Sequence, residues 1–178
     1  MKKVKIGKSV LELIVGDITK QKTGAIVNAA NTRLIPGGGV DGAIHRAAGP
    51  KLYEECKKLG GCKTGEVKLT KGYNLPATYV IQTVGPRYSG SIKDSEKLAS
   101  CYMESLKIAK ENRIKSISFP AISTGVYGYP IKEAAKISLA TISEGLKKNP
   151  EIELVRFVLY DQKVLKVHEM VLDLMNFS

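Results

Sequence analysis

An aspartate and a histidine spaced four apart, Asp41 and His45, follow a run of three glycines, Gly37-Gly38-Gly39, with Val40 between. On a helix that spacing sets both side chains on one face. A carboxylate beside an imidazole is a pair that can polarise or deprotonate water. Two ordinary readings stand beside this one: Asp41 as a helix cap and His45 as a packing histidine with its hydrogen bonds satisfied. The glycines are harder to dismiss. They cost backbone entropy and supply no packing, so they fit a place where N–H groups must turn toward a close anion at a helix N-terminus better than the alternative, a flexible surface turn. Upstream, Asn28 and Asn31 have the chemistry to bind sugar hydroxyls, or to satisfy backbone groups at a strand end.

A second loop, Pro120 to Pro130, contains Ser123-Thr124-Gly125-Val126-Tyr127. Small and hydroxyl-bearing residues with glycine again suit backbone contact with phosphate oxygens, and equally a bare strand-to-helix turn. Together the two loops could bracket a diphosphate without lysine, arginine or metal. Asp17, at the start of Asp17-Ile18-Thr19, offers an acceptor for an exocyclic amine such as adenine N6, or a cap for the next turn. Gly37, Gly39 and Gly42 satisfy GxGxxG only formally, because a polar insert separates them from the preceding strand. No Gly-Lys-Ser/Thr ending marks a nucleoside-triphosphate loop.

Residues of this kind need a scaffold that gathers loops at one edge. Apolar runs at Val4–Gly7, Ser9–Val15, Ala25–Asn28, Glu66–Thr70, Tyr79–Val84, Ser116–Phe119 and Leu154–Tyr160 predict strands. Between them, helical periodicity predicts helices over Ser95–Asn112, from Pro130 to near Asn149, and after Asp161 with Val164, Val167, Val171 and Leu174 on one face. Two shorter helices are expected to flank Pro50. The alternation implies an α/β protein: a three-layer α/β/α sandwich whose mixed, mostly parallel central sheet has helices on both faces. Ligands of such sheets bind at the carboxyl ends of strands, here the loops after Asn28 and Phe119.

The length of 178 residues fits one domain, 1–178. No apolar run suggests a signal peptide or a bilayer span. Cys56, Cys62 and Cys101 are odd in number and lack metal-site spacing, which predicts reduced thiols and a cytoplasmic setting. The net charge of +11 favours anionic partners, but the lysines are scattered, and no Trp is present to build a stacking platform. A solvated basic surface is the main expectation, with weak nucleic-acid binding as the alternative.

Five blocks in order resemble the macro domain family, nearest its MacroD-type branch. They are Gly16-Asp17-Ile18-Thr19, Ile26 to Asn31 (IVNAAN), Gly37 to Gly49 (GGGVDGAIHRAAG), Thr83 to Pro86 (TVGP) and Pro120 to Pro130 (PAISTGVYGYP). The resemblance implies binding of ADP-ribose and its esters. It also implies hydrolysis of ADP-ribosyl esters on acidic side chains or of O-acetyl-ADP-ribose, with mono-ADP-ribosylated proteins as partners and no cofactor or metal. By motif, Asp17 holds adenine N6 and Ile18 adds a backbone N–H. The glycine loop and Ser123 to Tyr127 wrap the diphosphate. Asn28, Asn31 and Asp41 surround the distal ribose, with Tyr127 against it. Tyr160 and Asp161 are looser candidates for the adenine wall. Asp41, Asn28 and His45 are the expected catalytic set. Two positions depart from the pattern: Pro36 stands where a fourth glycine is common, and Gln82 where many relatives have His. A binding module without turnover is the alternative.

Overall fold

Seven strands and five helices alternate along residues 1–175, the part of the chain described by the computed structural model. The strands are β1 (Lys2–Ile6), β2 (Ser9–Val15), β3 (Ala25–Ala29), β4 (Val67–Lys71), β5 (Tyr79–Thr83), β6 (Ser116–Phe119) and β7 (Leu154–Leu159). The helices are α1 (Gly39–Ala48), α2 (Pro50–Lys57), α3 (Ile92–Glu111), α4 (Ile131–Lys148) and α5 (Gln162–Leu174). The strands form one sheet in the order β1-β2-β7-β6-β3-β5-β4. Neighbours from β2 through β5 are parallel, and the outer strands β1 and β4 pair antiparallel.

Each face of the sheet has its own core, as the alternation of side chains along a strand requires. Leu11 and Leu13, Ala25 and Val27, and Phe119 and Phe157 pack with α3, α4 and α5. Ile26, Val80 and Val158 face the other way, with Ile44 and Leu52 of α1 and α2. Tyr102, Phe119 and Phe157 form an aromatic triangle with centroids 5.2–5.8 Å apart, a spacing at which ring pairs attract.

The layered architecture expected from the sequence is therefore present, with strand boundaries within about a residue or two. One helix face differs. The buried side of α5 is Leu165, His168, Val171 and Leu172, while Leu174 is exposed. His168 fills an apolar position against Phe157 by giving its Nδ1 to the Val164 carbonyl at 2.9 Å, which hides it from a purely apolar periodicity. All three cysteines are buried, and burial foremost pushes each thiol up to about 11. No helix among the described residues is long and apolar enough to cross a membrane.

Candidate functional site

Because β2, β7, β6, β3 and β5 run parallel, their carboxyl ends share one edge of the sheet. Along that edge lie, in order, Asp17 after β2, Tyr160 and Asp161 after β7, the Ser123 loop after β6, the glycine loop after β3, and Gly85 after β5. Sequence-distant candidates thus become a single row.

At the β3 end, Asn28 is fully buried and donates its Nδ2 hydrogens to Asp41 Oδ1 at 2.7 Å and Gln82 Oε1 at 2.8 Å. Two acceptors on one nitrogen fix the amide's orientation. Asp41, in the first turn of α1, accepts the Gly37 N–H on Oδ2 at 2.7 Å. His45 Nε2 stands 3.3 Å from Asp41 Oδ1, so the pair inferred from spacing is real. Its ring meets Tyr53 edge-on, at 6.4 Å between centroids. A carboxylate offers about four lone-pair sites. Asn28, His45 and Gly37 take up three, which leaves one on Oδ2, beside the glycine loop.

The glycine loop is seated on α1 by absence of side chains. A Cβ on Gly42 would come within 2.5 Å of the Gly37 carbonyl oxygen. Gly38 caps the helix without a side-chain bond, and Gly39 begins it at φ +57°, a backbone region open to glycine. Exposed N–H groups at this terminus suit an anion. Val40 is half-buried.

In the second loop, Ser123 adopts φ +67° and its Oγ nearly touches Gly85, where a Cβ would lie within 2.2 Å. This explains glycine at the TVGP block. Thr124 bonds its hydroxyl back to the Ala121 carbonyl at 2.7 Å. Gly125 and Val126 are exposed. Tyr127 is half-buried and carries the Arg87 guanidinium 5.1 Å from its ring centroid, a cation–π distance. Tyr127, Arg87, Asn31 and Gly85 line a cavity of about 490 Å³.

Asn31, Asp161 and Asp17 use polar groups in local structure. Asn31 donates to the Ile35 carbonyl at 2.7 Å and accepts from the Arg33 and Ile35 N–H groups at 3.2 Å. Its amide therefore shapes the loop, the backbone role that its type also allowed. Asp161 caps α5 through Val164 N at 2.9 Å, and Tyr160 is exposed. Asp17 caps a short 3₁₀ turn, Ile18–Lys20, the capping role that its position also allowed. Both its bonds, from Thr19 N at 2.9 Å and Thr19 Oγ1 at 2.6 Å, end on Oδ1. Cap and acceptor are thus compatible, since Oδ2 takes no bond among the described residues. The Thr19 hydroxyl foremost, then its N–H, hold this carboxyl below its ordinary range.

Gln82 and Arg87 had no assigned part in the sequence reading. Gln82, a departure from the family pattern, sits opposite Asn28 in the β3/β5 register, and that register, not local sequence, reveals their contact.

The macro domain family model matches residues 27–138. A macro domain-containing protein of Chlorobaculum tepidum is 55% identical over 160 residues, 89% of this chain and 93% of that protein. The chain belongs to the macro domain family. A macrodomain of Oceanobacillus iheyensis with ADP has TM-score 0.93 at 46% identity, over 97% of this macro domain and 94% of that chain. One of Trypanosoma brucei in complex with ADP-ribose has TM-score 0.87 at 44% identity, over 91% and 68%. The ADP-ribose glycohydrolase MACROD2 of Homo sapiens is 54% identical over 157 residues, 86% of this macro domain and 37% of the longer relative.

Proposed function

We propose that this macro domain binds ADP-ribose along the strand-end row and hydrolyses its esters, with mono-ADP-ribosylated proteins or O-acetyl-ADP-ribose as substrates. The observation that carries the reading is where polar groups are left over. Among the described residues, the buried side-chain polar atoms without a hydrogen-bond partner are Asn28 Oδ1, His45 Nδ1 and Ser123 Oγ. Buried polar groups are nearly always paired, and the three exceptions lie at the end of β3, on α1 directly after the glycine loop, and in the loop after β6. Names of relatives support the same ligand: solved macrodomains hold ADP or ADP-ribose, and MACROD2 is an ADP-ribose glycohydrolase.

In this reading adenine lies by Asp17 and Ile18, with Tyr160 and Asp161 as its wall. The diphosphate lies between Gly37-Gly38-Gly39 and Ser123 to Tyr127, and the distal ribose by Asn28, Asn31 and Asp41. Water adds across the ester bond, releasing ADP-ribose and the free acid. The remaining Oδ2 lone pair of Asp41 orients that water, helped by a ligand phosphate oxygen, and His45 steadies Asp41 from behind.

The test is single-turnover incubation with an ADP-ribosylated acidic peptide, following free ADP-ribose by mass. Release by the wild-type protein is expected. Binding without release would favour the second reading, a module that only binds. That reading draws on the same carboxylate, whose bonds to Asn28 and Gly37 already give it a structural task.

A further inference from the structure

A row of charged side chains crosses the sheet far from the glycine loop. Lys3, Glu12 and Arg156 are direct partners in the registers of β1, β2 and β7. Glu12 is only 6% exposed. Arg156 Nε donates to Glu12 Oε2 at 2.6 Å, and Lys3 Nζ stands 3.1 Å from Oε1. A buried carboxylate needs such partners. The guanidinium is a rigid fork of donors, and its Nη1 reaches past Glu12 to Gln21 Oε1 at 3.1 Å. Gln21 in turn donates its Nε2 to the Asp17 carbonyl at 3.0 Å. Both ends of the amide are thereby fixed: the oxygen faces a donor that cannot deprotonate, and the nitrogen faces an acceptor.

That carbonyl already closes the 3₁₀ turn by accepting Lys20 N at 3.2 Å, so the Gln21 bond is additional to the turn's own hydrogen bonding. It ties the turn that carries Asp17, through Arg156, to a partly buried ion pair between adjacent strands. We propose that Gln21, held by the Glu12–Arg156 pair, is a positioning residue that fixes the Asp17 carboxylate for selection of a 6-amino purine over a 6-oxo purine. The inference rests on the reading of Asp17 as the adenine acceptor. A carboxylate oxygen accepts from a 6-amino group and repels a 6-oxo group, but it discriminates only while its position is held. A turn free to swing Asp17 away accommodates both bases.

The experiment compares calorimetric affinities for ADP-ribose and its hypoxanthine counterpart in wild type, Gln21→Ala, Gln21→Glu and Arg156→Lys. Gln21→Glu keeps an acceptor for Arg156 but turns an oxygen toward the Asp17 carbonyl. Arg156→Lys keeps a positive charge beside Glu12 but loses the guanidinium fork that spans Glu12 and Gln21. Wild type is expected to prefer ADP-ribose, and each variant to narrow the preference by about fivefold to tenfold, the scale of one hydrogen bond. A staple with a purely structural role would lower the melting temperature and leave the ratio unchanged. An unchanged ratio in the folded variants overturns the inference. Wild type that binds neither ligand overturns the ADP-ribose reading itself, and that result is distinct because it appears before any substitution.

Discussion

Asp41 accepts the Gly37 N–H at 2.7 Å, so the carboxylate proposed to meet water also holds the loop proposed to meet phosphate. Position and chemistry are coupled through one side chain. Asp41→Ala is then a compound change, because it frees Gly37 and unpairs a buried Asn28 hydrogen as well as removing the proposed base. Asp41→Asn is the narrower test. Its single oxygen can serve Asn28 or Gly37 but not both. Single-turnover ester hydrolysis is expected to fall by about 10²–10⁴-fold, the range for losing a positioned base. ADP-ribose affinity, read by calorimetry, should weaken by much less. A rate within twofold of wild type, on the order of a small fraction of one base's contribution, would remove Asp41 from the chemistry.

The loop's seat is tested from the other side at Gly42. A methyl group there meets the Gly37 carbonyl oxygen, a backbone atom that cannot rotate away. Gly42→Ala should weaken ADP-ribose binding while the far-ultraviolet circular dichroism stays that of the wild type. Unchanged affinity would mean that the loop moves freely relative to α1.

Glu12 supplies a pH dependence. Burial by itself raises its pKa, but the hydrogen bonds and charges of Arg156 and Lys3 outweigh burial, and the carboxyl sits below its ordinary 4.5. A depressed folded-state value means stability that is present above the unfolded pKa and lost as pH falls through the folded one. Melting temperature should therefore drop as pH descends below 4.5, and Glu12→Gln should flatten that part of the curve. A wild-type curve no steeper than the variant's would show that Arg156 does not favour the charged form.

The thiols give a simple check on the core. Burial raises Cys56, Cys62 and Cys101 to about 11, and the thiolate is the nucleophile. Iodoacetamide at neutral pH should leave the native protein unmodified and label it fully in guanidinium chloride. Rapid labelling of any one in the native protein would contradict its burial.

What could be read from sequence follows from which forces are local. Strand alternation at Ser9–Val15 and helical periodicity after Ser95 are properties of short windows, so the elements matched the structure closely. The Asp41–His45 pair was legible for the same reason, being one helical turn. Other features depend on which strands become neighbours. Gln82 touches Asn28, and Arg156 touches Gln21 across 135 positions, only because parallel strands β3 and β5, and β2 and β7, come into register. Asn31 presents a third case. Its type fitted both sugar binding and loop bracing, and the 2.7 Å bond to the Ile35 carbonyl shows the brace.

Gln82 can be made to report on Asn28. It is buried, takes one Asn28 hydrogen on Oε1 at 2.8 Å, and gives its own Nε2 to Thr70 Oγ1 at 3.3 Å. Gln82→Leu removes the acceptor and leaves that hydrogen unpaired, which should cost about 1–3 kcal/mol of stability. Gln82→His is more informative. A neutral imidazole has one acceptor nitrogen for Asn28 and one donor for Thr70, so the variant should hydrolyse ester near the wild-type rate at pH 8. Protonation makes both ring nitrogens donors. Burial disfavours the charged ring, so this happens at or below about pH 6.5, the ordinary histidine value. Asn28 then loses its acceptor, and the ratio of variant to wild-type single-turnover rate should fall with pH. Taking the ratio cancels any pH dependence common to the two proteins. A ratio flat from pH 8 to 5, a span chosen to bracket about 6.5, would show that Asn28 does not depend on an acceptor from β5.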